Sequence, residues 1–186
     1  MTKIQDKLFL GTWVEAKNLP WLRQSKISHI LSAAPEVGFI KDSGIKYKIL
    51  PILDVENFDA YPYFDISANY IKETLEDSEE CTGLLVHDFK GESRGAAMIA
   101  AYIMKYQGLN FPMSYRAIMT KRNEARIEKW YTALCHRFCD ECTQQKNLIG
   151  KLKLAEEETR KKEAFLAPVN PVEKRESLVI QEVGTA

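Results

Sequence analysis

The chain has 186 residues, 45% of them hydrophobic, which suffices for one ordinary globular domain with a proper core plus an extension. Its 26 basic and 26 acidic side chains cancel, which excludes a global pull toward nucleic acid or an anionic membrane. No apolar run approaches the roughly 20 residues of a membrane span, and the start, MTKIQDKLFLG, is too polar for a secretory signal, so a cytoplasmic setting with reduced thiols is expected.

In chain order, DKLFLGTW alternates and ends in glycine, which suits a short strand and turn. VEAKNLPWLRQSKI carries helical spacing through Leu19, Leu22 and Ile27. SHILSAAP reads as a buried strand stopped by Pro35, and IKYKILPIL as another strand, followed by an acidic loop at residues 54–57. YFDISANYIKETLED places Phe64, Ile66, Tyr70, Ile71 and Leu75 at helical intervals. TGLLVHD is an apolar strand suited to the centre of a sheet. Residues 93–107 predict a helix buried on most sides, Pro112 opens another at its first position, and RIEKWYTALCHRFC is a further one. This alternation predicts an α/β fold with a central mixed, mostly parallel sheet flanked by helices.

Composition divides the chain into a domain over 1–142, a charged helical extension over 143–167 and an extended tail over 168–186. The extension has a thin apolar stripe, Leu148, Leu152, Ala155 and Leu166, which fits a solvated helix or one that docks on a partner. The tail holds two prolines, and its SLVIQEV segment is able to add a strand to something. Four cysteines are present, and CHRFCDEC invites a zinc reading. However, Cys135, Cys139 and Cys142 follow one another at i, i+4 and i+7 along one helix face. Sulfurs strung that way do not readily surround a tetrahedral ion, so packing is expected and no metal or other cofactor is implied.

The stretch with the most chemistry is LLVHDFKGESRGAAMIAAYIM, residues 84–104. A strand that runs into a glycine-containing loop and then a helix aims unpaired N–H groups and the helix dipole at one point. Arg94 at the end of the loop has the planar fork that grips two phosphate oxygens. The loop His87-Asp88-Phe89-Lys90-Gly91-Glu92-Ser93-Arg94 resembles that of the Cys-dependent protein phosphatases, most closely the small dual-specificity members. Their loop reads His-Cys, five residues, Arg. LFLGTWVEAKNLPWLRQSKISHIL resembles that family's opening strand and helix, and ILDVENFDAYPYF its general-acid loop, so the likeness covers residues 8–138.

The resemblance implies a thiolate nucleophile at position 88, Asp54 as the acid for the leaving oxygen, Ser93 easing departure of the cysteine, Arg94 clamping phosphate and His87 orienting the loop. Position 88 is Asp instead. A carboxylate in an anion-seeking loop accepts the N–H bonds meant for phosphate. It also repels an incoming phosphate: two unit charges about 4 Å apart at an effective dielectric of about 20 cost roughly 4 kcal/mol. The leading expectation is therefore an inactive phosphatase-like protein, a pseudophosphatase, with Asp88 filling the anion site and pairing with Arg94. It would act through protein partners, up to a cytoskeletal or ciliary assembly held by the extension. Simpler structural roles are available too: Asp54 as a loop acid or cap, Ser93 as a helix cap, His87 as a core histidine, and Lys90 and Glu92 as solvated side chains. Other readings are an active phosphatase carrying an engineered Cys-to-Asp change, an Asp88 that forms an acyl phosphate, and a phosphate-binding module. The acyl-phosphate version lacks an acidic metal cluster to offset charge, and Asp88 repulsion opposes the last.

Overall fold

A computed structural model describes residues 1–41, 43–77 and 79–166, with residues 163–166 as backbone only. The extended-tail and added-strand readings for 168–186 lie outside the described residues. Among the described residues five strands form one sheet in the order β1-β2-β5-β3-β4. They are β1 Thr2–Gln5, β2 Leu8–Gly11, β3 His29–Ser32, β4 Lys46–Ile49 and β5 Leu84–His87. Only β1 runs antiparallel to its neighbour, so the sheet is mixed and mostly parallel.

β5 is central, with Leu84 opposite both Leu8 and His29 and His87 opposite both Gly11 and Ser32. Its four residues are buried because helices cover both faces. Leu84 and Val86 enter one core with Phe64, Met98 and Tyr131. Leu85 enters the other with Ala16, Leu22 and Ile30. The covering helices are α1 Trp13–Ala16, α2 Leu19–Gln24, α3 Tyr61–Glu76, α4 Arg94–Tyr102, α5 Phe111–Lys121 and α6 Lys129–Leu166.

Several expectations change in detail. β1 was not foreseen: TKIQ is short and mostly polar, and it pairs only as the edge arm of a hairpin whose turn holds Lys7 at φ +56°. The single helix expected over residues 14–27 is two, because Asn18 accepts from the Trp21 N–H and starts α2 afresh. The helix over 93–107 is α-helical to Tyr102 and then widens into a π turn over Ile103–Gln107. Asn110 caps α5, which makes Pro112 its second residue rather than its first.

The fold falls into two units, Met1–Gln144 and Gln145–Ala186. In the first, Cys135 and Cys142 are buried in the main core and Cys139 packs against it, the packing role expected of them. The compositional break after Cys142 lies inside α6, which runs on without interruption. In the second unit Leu148, Ile149, Leu152 and Leu154 are all more than half exposed. Among the described residues no helix is long and apolar enough to cross a membrane.

Candidate active site and its displaced anion

The carboxyl ends of three parallel strands converge on one cleft, the place where open α/β sheets hold ligands. β5 delivers the 88–93 loop, the chain after β3 delivers Glu36 on a short 3-10 turn (Pro35–Val37), and the chain after β4 delivers Asp54. The loop after β5 is built around its own carboxylate. Asp88 is 3% exposed, and its oxygens accept from the backbone N–H groups of Gly91, of Ser93 at 3.2 Å and of Gly95 at 2.8 Å. These amides have no earlier turn of helix to bond to, so they are the donors a strand–loop–helix presents to an anion.

The loop is fixed from outside as well. Gly91 sits at φ +70°, and a Cβ there would lie 2.5 Å from the Gly11 carbonyl oxygen, so only glycine fits. Arg122 donates to the Gly91 carbonyl at 2.8 Å and to the Lys90 carbonyl at 3.4 Å. The Arg126 N–H donates to the Glu92 carbonyl at 2.8 Å. Phe89 stacks on Trp13 with ring centroids 5.6 Å apart, and its carbonyl accepts from the Trp13 N–H. Lys90 is exposed as expected, while Glu92 is half-buried.

Two sequence-based assignments are corrected here. Arg94 forms no ion pair with Asp88. Its buried guanidinium donates to Glu36 through both terminal nitrogens, at 2.9 and 3.4 Å, and to the Ile52 carbonyl at 3.0 Å, with Asp54 at 3.8 Å. The reason is the division of donors: the loop amides already occupy Asp88, and the fork turns to the carboxylates across the cleft. Burial works against the charge on Arg94, yet the Glu36 hydrogen bond and the nearby acids hold its pKa above the ordinary value. Burial likewise opposes the charge on Glu36, and Arg94 overcomes it, leaving that carboxyl below its usual range. The second correction concerns Ser93. It precedes α4 but makes no side-chain cap; its hydroxyl accepts from the Glu128 N–H at 3.1 Å and so ties the loop to the segment before α6.

His87 is fully buried. Its Nδ1 lies 3.3 Å from the Asp88 carbonyl oxygen, and its Nε2 has no partner among the described residues. Burial first of all pushes its pKa down, which favours the neutral ring. Asp54 is half exposed on a loop before α3 and caps no helix. Its segment is held by the Tyr131 hydroxyl, which donates to the Leu53 carbonyl at 2.7 Å; burial above all raises that phenol's pKa to about 12.

The cleft over the loop has a volume of about 260 Å³. Among the described residues five carboxylates line it, from Glu36, Asp54, Asp88, Glu92 and Glu128, against three cations from Lys90, Arg94 and Arg126. The lining is thus two charges negative, the wrong sign for a phosphate site. Sequence reasoning named Asp88, Asp54, Ser93, Arg94 and His87 but missed Glu36, Arg122 and Tyr131. Glu36 had one available signal, an acid just past the end of a strand expected to lie in the sheet. Arg122 and Tyr131 had none.

The profile described as "Dual specificity phosphatase, catalytic domain" matches residues 8–136. Dual specificity protein phosphatase 1B of Arabidopsis thaliana is 30% identical over 125 residues, 67% of this chain and 73% of that one. MAP kinase phosphatase with leucine-rich repeats protein 1 of Dictyostelium discoideum is 35% identical over 124 residues, but the match spans 14% of its length. Among solved structures, DUSP15 matches with a TM-score of 0.67 at 27% identity, covering 78% of this chain and 93% of that one. Human DUSP28 matches at 0.72 and 17% identity, over 78% of this chain and 99% of that one. The profile covers more than half of the chain, the relatives and the fold point the same way, and the chain belongs to the dual-specificity phosphatase family.

Proposed function

We propose that this chain is a catalytically inactive family member that works by binding protein partners. The single observation that carries the reading is the Asp88 carboxylate, held by the N–H groups of Gly91, Ser93 and Gly95 at the position where the family places its nucleophile. An engaged carboxylate supplies no thiolate. Both of its oxygens are committed to amides, which also opposes formation of an acyl phosphate there. The negative lining of the cleft supports exclusion of phosphorylated substrates. The exposed leucines of α6 beyond Gln144 support a role for the extension in contacts with other proteins.

A second reading draws on the retained Asp54, Ser93 and Arg94: a phosphoprotein phosphatase in which Asp replaces a native cysteine. The residue encoded by the gene at position 88 separates the two. Assay with an aryl phosphate tests inactivity directly. No turnover is expected. Turnover that is lost in both Asp54→Ala and Arg94→Met would overturn the reading, because it would reveal a working site.

A further inference from the structure

A tetrahedral oxyanion held in this loop would meet two sets of donors, the loop amides and the guanidinium fork of Arg94. Asp88 occupies the first set. The second is occupied independently, by a residue that lies 58 positions from Arg94 on a different element. Glu36 lies across the cleft on the turn after β3, and its two oxygens face the two terminal nitrogens of Arg94 as two phosphate oxygens would. Arg94 is 3% exposed, and its remaining contacts go to the Ile52 carbonyl and toward Asp54. No terminal nitrogen of the fork is left facing the cleft without a protein oxygen.

We propose that Glu36 is a second internal substitute for phosphate, so that the anion site is closed twice: Asp88 satisfies the amides and Glu36 satisfies the guanidinium. The inference rests on the reading of Asp88 above. It adds that removing Asp88 alone leaves the fork engaged and a negative charge beside the site. A carboxylate about 4 Å from a phosphate charge lowers affinity by roughly three powers of ten. The site opens to inorganic phosphate or tungstate only when both carboxylates are gone.

The test is calorimetric titration of phosphate and tungstate into the full chain in four forms: unmutated, Asp88→Ser, Glu36→Gln, and the double variant. The double variant is expected to bind, at least about tenfold more tightly than Asp88→Ser. Glu36→Gln and the unmutated chain are expected to give no heat, and adding Arg94→Met to the double variant to abolish binding. Equal binding by Asp88→Ser and the double variant would overturn the role of Glu36 and leave the Asp88 reading standing. A folded double variant that binds nothing would overturn it also. Binding by the unmutated chain would overturn the Asp88 reading itself. Circular dichroism monitors folding, and Asp88→Asn with Glu36→Ala repeats the comparison with different shapes should the first pair unfold.

Discussion

At position 88 the family's thiolate gives way to a longer, harder anion that the loop amides hold. Removing it strands buried donors, each worth about 1–3 kcal/mol if nothing replaces the acceptor. Water in the cleft can serve some of them. Asp88→Ala is therefore expected to cost about 1–3 kcal/mol, read as a lower urea midpoint with an unchanged slope. His87 supplies a pH prediction. Burial holds its pKa below the ordinary 6.5, so the unfolded chain takes up the proton first. Its contribution to stability is complete above pH 6.5 and declines as the pH falls toward the folded value. The urea midpoint should drop as the pH falls below 6.5, and drop less in His87→Gln. The loss is reduced rather than abolished, because His29 is shifted down as well, by burial first and Lys46 second. Asp88 was legible in the sequence because a motif frames it. Its amide partners were legible too; the absence of Arg94 from them was not, because Glu36 and the Ile52 carbonyl meet the fork only after folding.

The elements that carry the loop are as specific as the loop. β5 and the start of α4 bring the amides together, while Gly91 lets the chain turn against the Gly11 carbonyl. Gly91→Ala should be among the costlier substitutions, at about 2 kcal/mol or more, since a Cβ adds both a positive-φ penalty and a backbone clash. A melt of that variant checks it, and a melting temperature equal to the parent's contradicts the geometry. Tyr131→Phe removes the hydroxyl that holds the Leu53 carbonyl. A loss of about 0.5–1.5 kcal/mol is expected, with faster hydrogen exchange confined to the segment around Asp54. Apolar strands and the period of α3 were legible because burial imposes them directly. The short β1 arm was not, since pairing at a sheet edge asks little of TKIQ. Nor was the break at Asn18, where a local cap overrides a continuous apolar spacing.

Over the whole molecule, a formally neutral chain concentrates negative charge in the cleft where its relatives would meet phosphate. Net charge could not reveal this, because the acids come from separate segments that meet only after folding. The family likeness accounts for residues 8–136 and leaves the far part of α6 unexplained. The cores of the first unit draw on residues from Ile4 to Cys142. A chain ending at Gln144 is therefore expected to melt cooperatively within a few degrees of the full chain. A non-cooperative melt would show that the extension belongs to the folding unit. If the extension carries partner contacts, the same truncation removes them while leaving the cleft intact.

Amide hydrogen exchange at Gly91, Ser93 and Gly95 tests most directly whether Asp88 is the internal anion of the loop. In the unmutated chain at neutral pH, free of phosphate, these three amides are expected to exchange slowly. In Asp88→Ala they should exchange far faster while the amides of β5 remain protected. Fast exchange in the unmutated chain, or protection unchanged by Asp88→Ala, would contradict the claim that this carboxylate fills the site.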